Sequence, residues 1–184
     1  VFLPTVKSAA LDGNALYANL SGSEEGVFSF DLSTGVCAKL PLDGAESLIA
    51  AQGGMLMLAL RSSDGELKLS LYNTADKKRS DLCSLPNNAV HFAYDAQNAT
   101  LYYLADGLYR LTDPANGSPE FVTTVPLTPI MLFACNGSIF ALSNDMKAYA
   151  APVVTSAQSV RTLKCYDGCN RKTEQDYLLA RPGL

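Results

Sequence analysis

The chain of 184 residues contains no tryptophan, a single histidine (His91) and only 17% charged side chains. Each shortage narrows the functions open to it. A Ser-His-Asp triad would have to use His91, and no Gly-x-Ser-x-Gly elbow supplies a nucleophile. The lack of tryptophan weakens carbohydrate stacking, although nine tyrosines offer a substitute ring. Positive charge is sparse: Lys77-Lys78-Arg79 is the longest basic stretch, and 14 Lys+Arg against 18 Asp+Glu give −4. Nucleic-acid binding by phosphate neutralisation is therefore not expected. No apolar run approaches the ~20 residues that span a bilayer, and no signal peptide stands at Val1. Neither a Walker-type phosphate loop nor a repeated Asp-x-Asp-x-Asp calcium loop occurs, so no cofactor or metal is predicted.

What is present is apolar material for a core. Hydrophobic residues make up 48% of the chain, with 13 glycines and 9 prolines, which excludes disorder, collagen and coiled coil. The length fits one domain or two small ones. The five cysteines fall at irregular intervals and do not read as a disulfide scaffold. Cys37 and Cys83 lie in strand-like runs and are expected to behave as small apolar groups. Cys165-Tyr-Asp-Gly-Cys169 places a turn between two sulfurs, giving a local disulfide or two free thiols. It lacks the second ligand pair that zinc requires.

The organising signal is a repeat. Leu3-Pro4, Leu40-Pro41, Leu85-Pro86 and Val125-Pro126 recur at intervals of about 40 residues. Between them comes a solidly apolar segment: Ala15 to Ala18, Met55 to Leu60, Leu101 to Ala105 and Ile139 to Leu142. A turn-rich stretch then leads to an alternating segment, such as Phe28, Phe30 and Leu32, or Leu67, Leu69 and Leu71. Alternation of period two means strands. Asp12-Gly13-Asn14, Ser33-Thr34-Gly35, Asp64-Gly65, Asp106-Gly107 and Asn136-Gly137 supply the turns. In the second unit the predicted strands are Ser47 to Ala51, Met55 to Arg61, Glu66 to Tyr72 and Arg79 to Leu85.

An inner strand that is apolar on both faces must be covered on both. A blade stacked between blades meets that requirement, whereas a sandwich that is wet on one side does not. The predicted fold is all-β: a β-propeller of about four four-stranded antiparallel blades, either a whole small ring or a fragment of a larger one. A β-sandwich is the alternative. Residues 1–154 form the propeller-like repeat domain. Leu56, Leu58, Leu69, Leu71, Leu101, Tyr103, Ile139 and Phe140 are its expected inter-blade core. Val1 to Pro4 reads as the missing outer strand of the last blade, pairing near Asp145 to Val154 and closing the ring. Residues 155–184 read as a tail or as the start of a following α/β module. In it, Ser159 to Tyr166 is a strand and Thr173 to Ala180 a short helix capped by Thr173.

The segments Ala10 to Tyr17, Val27 to Gly35 and Leu101 to Leu111 resemble blades of bacterial secreted propellers, in which a Leu-Tyr-Phe strand alternates with a Tyr-Arg-Leu-Asp strand. The layout over residues 1–154 is also similar to the propeller-like region preceding a solute-binding module in some Gram-positive lipoproteins. That resemblance implies a following α/β ligand-binding domain whose first strand is Arg161 to Tyr166. No WD dipeptide, kelch double glycine or tryptophan docking signature is present.

No catalytic residue is assigned. His91, in Ala89-Val-His-Phe-Ala93, reads as a strand residue that packs. Glu24-Glu25 and Asp43/Glu46 read as solvated loop charge, and nothing marks a glycosidase pair. The sequons at Asn19, Asn98, Asn116 and Asn136 coincide with turns. Two functions remain. One is a non-enzymatic extracellular or envelope-anchored binding module, taking a small molecule or protein at the ring face, with a partner segment completing the ring. The other is a propeller-type carbohydrate-acting hydrolase or lyase.

Overall fold

The computed structural model describes residues 4–125 and, beyond them, the segments 129–135, 138–143, 147–152, 162–167 and 176–178. Among the described residues every regular element is a strand. Sheet one holds β1 (Thr5–Asp12), β2 (Ala15–Ser21), β3 (Gly26–Asp31) and β4 (Cys37–Lys39), in chain order and antiparallel. Sheet two repeats this with β5 (Ala45–Gln52), β6 (Met55–Arg61), β7 (Leu67–Asn73) and β8 (Arg79–Leu85). Sheet three holds β9 (Val90–Asp95), β10 (Thr100–Leu104), β11 (Leu108–Leu111) and β12 (Glu120–Thr123). Sheet four adds a fifth strand: β13 (Pro129–Cys135), β14 (Ser138–Ser143), β15 (Lys147–Pro152), β16 (Thr162–Asp167) and β17 (Asp176–Leu178).

The repeat in the sequence is therefore a repeat of four-stranded meanders. Its Leu40-Pro41 and Leu85-Pro86 landmarks mark the ends of the fourth strands β4 and β8, where proline, lacking an N–H, ends a ladder; Pro126 lies outside the described residues. The turns obey local chemistry. Gly53 and Gly54 join β5 to β6 with φ of 58° and 76°, the two left-handed residues that a tight hairpin demands.

The chain divides into two compact units: residues 1–87 with 114–116, and residues 88–113 with 117–184. In the first, sheets one and two pack through Tyr17, Val27, Leu48, Leu56, Leu58 and Tyr72. Three polar ties cross this joint. The Leu48 amide donates to Ser8 Oγ at 2.8 Å, the Gly54 amide to Asp12 Oδ2 at 2.7 Å, and Asn19 Nδ2 to the Ala45 carbonyl at 3.0 Å. In the second unit, Tyr102, Leu104 and Leu108 of sheet three pack on Leu132, Ile139 and Ala141 of sheet four.

The expected double-sided burial of the inner strands is met in β6. Leu56 and Leu58 on one face, and Ala59 on the other, are all wholly inaccessible. Leu69, Leu101, Tyr103 and Ile139 are likewise buried, as predicted, whereas Leu71 and Phe140 are only half-buried. The core tyrosine Tyr72 has a buried hydroxyl without a hydrogen-bond partner. Its phenol pKa is raised by burial and, secondarily, by Asp76. An unmet hydroxyl carries a desolvation penalty with no compensating bond. Tyr72→Phe is therefore expected to stabilise unit one by about 1 kcal/mol, read as a higher denaturation midpoint at unchanged slope.

Two expectations at the chain ends are corrected. Both edges of β15 are taken, by β14 and by β16. The strand beside β15 thus comes from Thr162–Asp167 rather than from Val1 to Pro4. Val1 to Leu3 lie outside the described residues, and Pro4 belongs to no strand. The segment predicted as a helix from Thr173 contains, in its described part, the strand Asp176–Leu178 paired with β16. An unpaired ladder edge on β16 outweighs the weak local helix signal, because backbone groups left without partners are costly.

Candidate functional site

Strands β1, β3 and β5 begin, and β2 and β4 end, at the same end of unit one. The carboxylates read from the sequence as separate solvated loops gather there. Glu25 ends the β2–β3 turn, while Asp43 and Glu46 flank the entry to β5. With Lys7 of β1 and Lys39 of β4 they line a cleft of about 250 Å³. Glu46 is held by Arg61, whose Nε lies 2.9 Å from Glu46 Oε1, and Arg61 also donates to the carbonyls of Gly65 and Asn87. Lys39 Nζ sits 5.9 Å from the centre of the Phe28 ring, a cation–π contact that fixes its direction. The cleft thus presents two ammonium groups against three carboxylates, one of them neutralised by Arg61. The sequence reading missed both lysines. Their signal was weak, since alternation places Lys7 and Lys39 on strands but does not say which strand ends meet.

A second, shallower groove of about 550 Å³ lies at the opposite end of sheet one, lined by Asp12, Asn14, Tyr17, Asp31 and Thr34 among others. Hydrogen bonds from the Ser33 hydroxyl and amide and from the Thr34 amide hold the Asp31 carboxyl below its ordinary range. Asp12 is committed to the Gly54 amide. The carboxylates here serve turns first.

The remaining sequence candidates are dispersed. His91 sits in β9 at φ 51°, where a register shift opposite Tyr103 makes room for an extra residue. It is half-buried, and burial lowers its pKa below the ordinary 6.5. The unfolded chain therefore takes up this proton first as pH falls. The stability His91 contributes is complete above about 6.5 and is lost as pH drops toward the lower folded value. His91→Asn, which tolerates positive φ, is expected to flatten the stability profile in that window; denaturation midpoints at several pH values would show it.

Cys37 is an exposed and Cys83 a half-buried free thiol, so of the two only Cys83 approaches the apolar role expected of both. Cys165 lies in β16, and Cys169 falls outside the described residues. Asn19 is buried in the joint between sheets one and two, which removes it as a glycosylation acceptor in the folded chain. Asn98 and Asn116 are exposed, with Asn98 donating to Asp95; Asn136 falls outside the described residues. Among the described residues no helix is long and apolar enough to cross a membrane, and no group of three or more His, Cys, Asp or Glu is placed to hold a metal.

No protein-family model and no curated protein matches the chain. Its fold does match solved structures. One is the crystal structure of the computationally designed Ika4 protein, with a TM-score of 0.56 and 13% identity, covering 84% of this chain and 94% of that one. Another is regucalcin from Agrobacterium tumefaciens, a propeller described as a calcium-binding protein, with a TM-score of 0.54 and 14% identity. That match covers 78% of this chain and 55% of the regucalcin chain. At these identities the likeness concerns the fold. The chain is an all-β array of four antiparallel meanders, similar in fold to these proteins.

Proposed function

We propose that the chain is a β-propeller-type binding module without catalytic activity, acting outside the cell or at the cell envelope as an accessory part of a solute-binding assembly. The observation that carries this reading is the mixed-charge cleft of Lys7, Glu25, Lys39, Asp43 and Glu46. It is set on strand ends that two packed sheets hold in place, the usual arrangement by which a rigid scaffold presents a binding surface. Two ammonium groups facing carboxylates suit a small zwitterion, such as an amino acid or the end of a peptide. Each charge of such a ligand finds an opposite partner there. The extracellular setting is supported by the resemblance to secreted propeller repeats.

The test is a thermal-shift and calorimetric screen of amino acids, short peptides and simple sugars. An amino acid or peptide should raise the melting temperature, and Lys39→Glu with Glu25→Lys should abolish the shift while leaving the unliganded protein folded. Turnover of nitrophenyl glycosides, or a sugar response insensitive to both substitutions, would overturn the reading.

A further inference from the structure

The shallow groove of sheet one, about 550 Å³, holds polar groups that folding leaves only half used. All the residues that line it belong to the first unit, and strand pairing sets them on one face. Asp12 pairs with Ala15 and Ala15 with Asp31; two residues further along β2, Tyr17 pairs with Ser29, which pairs with Ala38. Asp12 and Asp31 therefore stand on separate strands either side of Ala15, with Cα atoms about 10 Å apart at two strand spacings.

Each of these carboxylates has one oxygen committed and one left over. Asp31 Oδ1 accepts from the Ser33 amide at 2.8 Å, the Ser33 hydroxyl at 2.6 Å and the Thr34 amide at 3.1 Å. Asp12 Oδ2 accepts from the Gly54 amide at 2.7 Å. Among the described residues, Asp31 Oδ2 and Asp12 Oδ1 accept no hydrogen bond. The bonds from Ser33, and then from Thr34, keep the Asp31 carboxyl charged to lower pH than an ordinary aspartate.

Tyr17 is an independent sign of a ligand. It lines the groove and is only 6% exposed. Its hydroxyl makes no hydrogen bond among the described residues, and unlike that of Tyr72 it is not sealed in the core. A polar atom on so buried a ring needs a partner from outside the chain. Among the described residues no lysine or arginine lines the groove, so an anionic ligand would find no opposite charge there. The donor set does not suit a metal either, because no third Asp, Glu, His or Cys joins the two carboxylates.

We propose that the groove binds a linear alkyl diamine, with one ammonium donating to Asp12 Oδ1, the other to Asp31 Oδ2, and the carbon chain crossing Ala15. An ammonium carries three donors and no acceptor, which matches a site that offers only acceptor oxygens. The Tyr17 hydroxyl oxygen takes one of the remaining N–H groups. Two carboxylates on separate strands suit two ammonium groups on one chain, and the volume lies in the usual range for a small-ligand site. The groove differs in kind from the cleft at the other end of the sheet, whose lysines allow it a ligand of both signs. The inference is independent of what that cleft binds.

Calorimetric titration of the full chain with cadaverine, at fixed low ionic strength, tests this. Binding should saturate at one diamine per chain, and butylamine, with a single ammonium, should bind at least severalfold more weakly. Asp12→Asn and Asp31→Asn each keep an oxygen for the amide donors, so the denaturation midpoint should hold while affinity falls about tenfold. Tyr17→Phe should weaken binding severalfold, and Lys39→Glu should leave it unchanged. Equal affinity for cadaverine and butylamine in the wild type would overturn the proposal without reference to any variant. So would uptake that never saturates, which is general attraction to a chain of net charge −4. Binding that survives both asparagine substitutions, or that is lost with Lys39→Glu, would place the diamine elsewhere and equally overturn it.

Discussion

Leu58→Asp is expected to abolish the cooperative folding of unit one. Leu58 is wholly buried in the middle of β6, packed in the core between sheets one and two. The substitution removes about 2 kcal/mol of apolar burial. It also places a carboxylate in a cluster built of Tyr17, Val27, Leu48, Leu56 and Tyr72, at a cost of several kcal/mol more whether the group ionises or takes up a proton. Together these reach the whole stability of an ordinary domain, about 5–15 kcal/mol. Leu58→Ala, which only leaves a cavity, should cost about 2–5 kcal/mol and retain a transition. Circular dichroism and chemical denaturation distinguish the two. A soluble Leu58→Asp protein with a sharp transition near that of the wild type would mean that β6 does not lie in this core.

The second large effect is predicted at a residue with no side chain. Gly44 stands at φ 74° just before β5, and its carbonyl accepts the Arg61 amide at 2.8 Å. A Cβ there would lie 2.4 Å from the Arg61 carbonyl oxygen, which is backbone and cannot swing aside. Gly44→Ala combines the left-handed penalty of about 1–2 kcal/mol with displacement of the β6 end, for an expected loss of about 2–4 kcal/mol. Gly13→Ala is the control. Its φ is 58°, but nothing lies within 4 Å of the added carbon, so only the conformational penalty applies. Equal losses at the two sites would refute the close approach. Gly44 also borders the charged cleft, so its substitution should weaken any ligand response more than its stability cost alone explains.

Much of the architecture was legible because a strand announces itself locally. The four strands predicted for the second unit appear as Ala45–Gln52, Met55–Arg61, Leu67–Asn73 and Arg79–Leu85, shifted by at most two residues at any end. Alternation, a Gly-Gly or Asp-Gly turn and a closing Leu-Pro are all encoded within a few residues of the structure they produce. Two departures at the core show the limit of that pattern. Leu71 and Phe140 fit the alternation as well as their neighbours, yet they are only half-buried. Period two states which face a side chain takes, not how much another sheet covers it.

The ends and the site were decided elsewhere. The slot beside β15 was assigned to Val1 to Pro4 because that segment shares the Leu-Pro ending of the other outer strands. It is filled by Thr162–Asp167, since a ladder takes whichever edge the connecting chain delivers, and no ending motif specifies its partner. The cleft has the same origin. Lys7, Glu25, Lys39 and Asp43 are each unremarkable in sequence, spread over four separate turns and strands. By itself the sequence determined the strands, their turns and the repeat, because these rest on interactions among near neighbours. Which strand completes a sheet and which charges meet were decided by tertiary structure alone, because they depend on pairing and packing between residues far apart in the chain.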